Sequence, residues 1–131
     1  MTTFESKVNI NKPVNEVYQF LADMNNHQQL MPDNIQDWSS TADEARFGIQ
    51  NMAKLALRID NRIENTEINI TPFEKPPFAL ELKWVLDASG SSTEVQFTIA
   101  ADLNMMMKML ASGPLQKLAD HETQKLDELL S

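Results

Sequence analysis

The segment from Asn104 to Leu130 restricts the fold more than any other part of the chain, because it is the longest stretch without a strand pattern. It opens with Met105, Met106, Met107 and Met109, then reaches Gly113-Pro114, where a bend is expected. Beyond the proline, Leu115, Leu118, Leu126, Leu129 and Leu130 recur at helical spacing. A helix with one apolar stripe is stable in water only when another element covers that stripe. The remainder of the chain must therefore supply an apolar surface of comparable length.

Two long alternations supply it. Phe78, Leu80, Leu82, Trp84 and Leu86 share one face, opposite Glu81, Lys83 and Asp87. After the turn Ser89-Gly90-Ser91-Ser92, the residues Val95, Phe97, Ile99, Ala101 and Leu103 share a face opposite Glu94, Gln96, Thr98 and Asp102. Period-two patterning on both sides of a Gly/Ser turn is the mark of a β-hairpin. Each strand has one apolar face, and that face must be covered.

The rest of the chain repeats the theme in shorter pieces. Phe4, Val8 and Ile10 alternate with Glu5, Lys7 and Asn9, with Ser6 interrupting the inner set, and Pro13 ends this first strand. Val14, Val17, Tyr18 and Leu21 then predict an amphipathic helix begun by the proline. Asp23 to Asn26 end it, and His27 to Met31 predict one more short helix before Pro32. Strands are predicted over Ile35–Ser39, Arg46–Gln50, Leu55–Ile59 and around Ile68 and Ile70, with turns at Asn51 and over Asn61–Asn65, although Ile63 is apolar enough to extend its ladder. Pro72 and Lys75-Pro76-Pro77 break the chain before the hairpin. The order is strand, one helix or a helix pair, about six strands and a long helix, and short connections make successive strands antiparallel.

Composition narrows the function. A chain of 131 residues is expected to form a single domain, 1–131. The absence of cysteine excludes disulfides, a thiol nucleophile and a Cys-ligated zinc site. A formal charge of -8 disfavours nucleic acid and anionic lipid as partners. The residues Met1 to Glu5 lack the pattern of a signal peptide, and no apolar run spans a bilayer, so a cytoplasmic protein without stable membrane insertion is expected.

In combination, the opening strand Phe4–Ile10, the helix start Pro13-Val14-Asn15-Glu16-Val17, the exit Leu30-Met31-Pro32, the ladder ending in Leu103 and the Gly113-Pro114-Leu115 break resemble the SRPBCC or START-like superfamily, also called birch-pollen-allergen-like. Its small bacterial members include proteins labelled polyketide cyclase or dehydrase. The resemblance implies an α+β helix-grip fold: a curved antiparallel sheet of about seven strands wrapped around the C-terminal helix, with one or two short helices after the first strand. It further implies a cavity between sheet and helix for lipids, sterols, hormones or polyketides. Only some members are enzymes, and others act as chaperone co-factors.

Few residues carry obvious chemistry. The glycines Gly48, Gly90 and Gly113 are too scattered for a phosphate loop, and His27 and His121 lie too far apart in sequence to form a metal motif. Methionine is flexible and polarizable, so the cluster from Met105 to Met109 either lines an adaptable pocket or fills core gaps. Glu122 falls near the middle of the leucine stripe. There it either faces the sheet, where burial would raise its pKa, or it escapes by rotation of the helix after Pro114, by reaching a cation such as Arg58, or by reaching solvent. Arg46 and Arg58 alternate with inward residues and are expected on the outer face, while Tyr18, Trp38 and Trp84 are expected in the core or cavity wall.

The first expectation is binding of a small hydrophobic or amphipathic ligand without catalysis. The site would be walled by Leu57, Ile59, Leu80, Leu82, Trp84, Phe97 and Ile99, with Met105, Met109 and Leu118 from the helix. No cofactor or metal is expected. The alternatives are a cyclase or dehydratase using Glu122, or an interaction module, including a homodimer, built on exposed methionines or Pro76-Pro77-Phe78.

Overall fold

The structure is a computed structural model that describes residues 1–50 and 53–131. The turn expected at Asn51 lies outside the described residues. The elements follow as β1 (Thr2–Ile10), α1 (Val14–Leu21), α2 (Met24–His27) running into a 3₁₀ turn (Gln28–Leu30), β2 (Ile35–Ser40), β3 (Glu44–Ile49), β4 (Ala53–Ile63), β5 (Glu67–Pro72), β6 (Leu80–Ser89), β7 (Ser92–Ala101) and α3 (Met105–Leu130).

The seven strands form one antiparallel sheet in the order β1-β7-β6-β5-β4-β3-β2. This is the helix-grip arrangement expected from the sequence. The predicted hairpin supplies its second and third strands, β7 and β6. Trp84 and Phe97 face each other across β6 and β7, with ring centroids 4.1 Å apart and planes 16° from parallel. Both are fully buried, as is Ile68, which pairs with Trp84 from β5. Stacked aromatics at a cross-strand pair add attraction beyond their burial and pin the register.

Turn chemistry accounts for the tight connections. Gly90 adopts φ 64° in the β6–β7 turn and Asn65 adopts φ 58° in the β4–β5 turn, the left-handed conformation that glycine and asparagine tolerate best. Ile63 does extend β4, but the register shifts between Ile59 and Asn61, and Ile63 ends exposed. A bulge between Gln36 and Ser39, with Asp37 at φ 57°, interrupts β2. It breaks the two-residue alternation, so that Ile35 and Trp38 both reach the concave side, where Trp38 stacks on Phe47 at 5.2 Å.

The second short helix starts earlier than expected, at Met24 rather than His27. Asp23, beyond the end of α1, caps it, its carboxylate accepting from the Asn25 N–H at 2.9 Å. Buried Met24, His27 and Leu30 from this turn plug one end of the sheet.

Helix α3 lies across the concave face, with its closest strand neighbour β1. Asn104 caps it by accepting from the Met107 N–H at 2.9 Å. The helix continues through Pro114, so the expected break costs one backbone hydrogen bond rather than the element. Gly113 has no Cβ to clash with the proline ring, which eases helical geometry at the residue before it. The buried stripe runs Ala111, Leu115, Leu118, Glu122 and Leu126, with half-buried Met107 one turn earlier. Ser6, the polar interruption of β1, meets Thr123 of α3 in a 2.6 Å hydroxyl hydrogen bond. The interruption therefore locks the helix to the edge strand instead of wasting a core position.

The Leu126 side chain is fully buried and Leu129 is 41% exposed, although both belong to the leucine stripe of the sequence. Leu126→Ala is expected to cost about 3 kcal/mol and Leu129→Ala less than about 1 kcal/mol, measured by urea unfolding.

Candidate functional site

Two adjacent spaces lie between α3 and the sheet. The inner one is a small chamber of about 30 Å³. Its floor is Leu57 of β4, Ile70 of β5, Leu80, Leu82 and Trp84 of β6 and Ile99 of β7. Leu115, Leu118 and Glu122 of α3 form the roof, Trp38, Phe47, Ile49 and Leu55 one side, and Met24, His27 and Met31 the end. The outer space is a groove of about 550 Å³ between α3 and the β2–β3 edge. Pro32, Asn34, Ile35 and Ile49 face Pro114, Leu115, Lys117, Leu118, Asp120, His121 and Gln124 across it. Ile49, Leu115 and Leu118 belong to both linings and so form the partition between them.

The volumes assign different roles to the two spaces. Small-molecule sites are commonly a few hundred Å³ or more, which only the groove meets. The chamber is the size of about one water molecule. The apolar walls anticipated from the sequence are therefore mostly closed on one another, and ligand-sized space lies at their mouth.

The residues expected to line the site divide accordingly. Leu57, Leu80, Leu82, Trp84, Ile99 and Leu118 come together around the chamber. Phe97 is buried against Trp84 and Ile59 is buried in β4, and neither lines the chamber or the groove. Met105 and Met109 are 83% and 82% exposed and lie away from both spaces. The inward phase of α3 explains this: counted back from Leu118 and Leu115, it reaches Ala111 and Met107, which leaves Met105, Met106, Met109 and Leu110 on the solvent side. Sequence reasoning did not name Met24, His27, Met31, Phe47, Ile49, Leu55, Ile70 or Leu115 as lining residues. Strand alternation for Phe47, Ile49, Leu55 and Ile70 and helical spacing for Leu115 held a signal, but nothing local marked Met24, His27 or Met31.

Glu122 is buried, at 2% exposure, in the chamber roof. The helix does not rotate it away after Pro114, and Arg58 is exposed on the outer face, as expected, and forms no ion pair with it. Burial alone pushes its carboxyl up to about 8, so it is protonated at neutral pH. Arg46 is likewise outside, paired with Glu74 and 5.0 Å from the Phe73 ring centroid.

His27 is the second titratable group of the chamber. Its Nε2 lies 2.7 Å from the Leu21 carbonyl oxygen, which can only accept, so Nε2 carries the proton. Burial pulls its pKa down, opposed by that hydrogen bond and by Asp23. The ring is therefore neutral, with Nδ1 as an acceptor, and it meets the edge of Trp84 at 6.2 Å. The Trp84 Nε1–H is buried without a partner among the described residues. His121 lines the outer groove while His27 lines the chamber, and no group of three His, Cys, Asp or Glu able to hold a metal occurs among the described residues.

No family model and no curated protein matches the sequence. Solved structures match its fold along nearly its whole length. An aromatase/cyclase, Zhui, from a Streptomyces species has 11% identity and a TM-score of 0.76, over 98% of this chain and 92% of that one. The Aha1 dimer protein of Colwellia psychrerythraea has 15% identity and a TM-score of 0.71, over 99% and 96%. A START superfamily protein of Mycobacterium smegmatis has 16% identity and a TM-score of 0.69, over 97% and 98%. These likenesses show the START-like helix-grip fold. No helix among the described residues is long and apolar enough to cross a membrane.

The two buried titratable groups give stability a defined pH dependence. Glu122 releases its proton near 4.5 when unfolded but near 8 when folded, so it favours the folded state fully below 4.5 and loses that advantage as pH rises to 8. His27 acts oppositely: its contribution is present above 6.5 and is lost as pH falls below that value. The two slopes oppose one another in mildly acid solution, and Glu122 dominates from 6.5 to 8 as the unfolded His27 finishes losing its proton. Over that interval the protein should lose about 1 kcal/mol of stability, and Glu122→Gln should remove the loss, as measured by urea unfolding at the two pH values.

Proposed function

We propose that this START-like helix-grip domain binds a small, largely apolar molecule in the groove between α3 and the β2–β3 edge. The observation that carries the reading is the shared partition of Ile49, Leu115 and Leu118 between a ligand-sized groove and an apolar chamber. The ligand body lies in the groove, and its tip presses on the partition. Removal of apolar ligand surface from water drives binding, at about 25 cal/mol per Å² before ordering costs. The START-like and cyclase-like folds of the compared structures support a ligand-binding scaffold of this kind. Cytoplasmic location and the absence of a reaction belong to the same proposal.

Catalysis is the second reading, and Glu122 is the observation in its favour: a protonated carboxyl near neutral pH is what a general acid requires. The cyclase-like fold adds context. Against it, Glu122 and His27 are the only titratable chamber residues among those described, and His27 commits Nε2 to Leu21. Self-association would use a different face, where Met105, Met106, Met109 and Leu110 are exposed, and light scattering after size exclusion tests for it directly.

Native mass spectrometry of protein purified from its own host should show a retained small-molecule adduct. Ile49→Trp narrows the partition and should weaken binding of a neutral dye such as Nile red by roughly tenfold, at a stability cost of about 1–3 kcal/mol. Met109→Glu, on the exposed face, should leave dye binding unchanged. The opposite pattern in a dye titration, loss with Met109→Glu and none with Ile49→Trp, would place the apolar site on the methionine face instead.

A further inference from the structure

The start of α3 carries side chains that neither the chamber nor the groove uses. Four of the chain's eight methionines lie within the five positions 105 to 109. Met107 turns inward and is half-buried, whereas Met105, Met106 and Met109 are 83%, 71% and 82% exposed. At about 100° per residue, these three fall within roughly 100° of arc around the helix. Met109 stands four residues from Met105 and three from Met106, the separations at which helical side chains are neighbours. The three thioethers thus share one turn of one solvent-facing surface.

The surroundings hold this turn in place and leave its face open. Asn104 accepts from the Met107 N–H through its side chain and from the Lys108 N–H through its carbonyl, each at 2.9 Å, so the helix is ordered from its first residue. One turn further along the same face stands Gly113, where an added Cβ would meet no neighbouring element within 4 Å among the described residues. Lys108 is the one cation of the turn, and it projects from another side, roughly 110° from the centre of the arc. Hard cations take oxygen ligands, and the positive end of a helix dipole repels a cation held by electrostatics alone. A thioether is uncharged, flexible and polarizable. It favours soft ions such as Cu(I), whose bonds to sulfur are largely covalent. The chain has no cysteine, so no thiolate competes for such an ion.

We propose that Met105, Met106 and Met109 form a three-thioether site for a soft monovalent cation of the Cu(I) class. Each sulfur supplies one lone pair, and the open side of the face leaves room for a further ligand from solvent. The site lies outside both the chamber and the groove, so it stands or falls separately from the ligand-binding reading. Histidine and carboxylate take no part in it: Asp102, the acidic residue nearest in sequence, precedes the helix and is exposed. The formal charge of -8 draws cations to the surface in general, and the sulfurs choose among them. A thioether has no proton to lose, so affinity is independent of pH, unlike that of a site built on histidine, carboxylate or thiolate.

The probe is Ag(I), a soft closed-shell ion like Cu(I) but stable in air, added as its nitrate without chloride to protein with isotope-labelled methionine methyl groups. One equivalent should shift the Met105, Met106 and Met109 methyl resonances together and leave that of Met1, which is also exposed, in place. Replacing any one of the three by leucine should weaken binding roughly tenfold, because a chelate loses one arm. Replacing all three should abolish binding while far-UV circular dichroism and the urea midpoint stay as in the wild type, since leucine keeps the volume and the helix propensity. Affinity should agree within about threefold between about pH 5.5 and about pH 8. Cu(I) held reduced by ascorbate and competed with bathocuproine disulfonate should follow the same pattern, and Zn(II) should leave the three resonances unmoved. Single leucine variants that lower capacity without lowering affinity, or a Met1 shift at the same silver concentration, would show independent surface thioethers and overturn the site. Binding that weakens toward acid pH would assign the ion to a histidine such as His121 and overturn it as well.

Discussion

Burial of the α3 stripe against the concave sheet is the contact on which the rest of the structure depends. Seven antiparallel strands have one apolar face in common, and only a helix the length of α3 covers it. Ala111, Leu115, Leu118 and Leu126 supply the apolar part of that cover. The Ser6–Thr123 hydrogen bond and the Gln116 side chain donating to the Glu5 carbonyl at 3.1 Å then fix how α3 sits along β1. Directionless apolar attraction brings helix and sheet together, and a few directional bonds choose the register.

That contact is incomplete in an informative place. A leucine at position 122 would extend the stripe from Leu118 to Leu126 without a break and would avoid burying a carboxyl. The chain holds a glutamate there, neutral at physiological pH, in a lining that it shares with Trp84 and His27. Around these groups the walls are otherwise closely packed, and the space left is one water in size. The helix therefore serves two purposes along its length. Its leucines hold the sheet closed, and one turn of it keeps polar capacity inside the core.

Much of the architecture was legible from residue periodicity. The β6–β7 hairpin, the opening strand and the long final helix each follow from which side chains share a face, and that is a property of local spacing. The inward position of Glu122 also lay in the spacing, since it sits four residues from Leu118 and four from Leu126. The methionines were misplaced because their chemistry suits a pocket, whereas the phase of the helix turns Met105 and Met109 outward. Trp38 shows a different limit: a bulge at Asp37 redirects it, and bulges leave little trace in an alternation pattern.

The sequence by itself determined that an apolar-faced antiparallel sheet must wrap a C-terminal helix, because periods of two and 3.6 residues declare which faces need cover. Only the tertiary structure decided where space remains between them. Whether facing side chains interdigitate or stand apart depends on distances between elements far apart in the chain, such as Met24 and His27 against Trp84 and Glu122. Those distances gather the indole, the imidazole and the carboxyl in one small chamber and place the ligand-sized groove outside it.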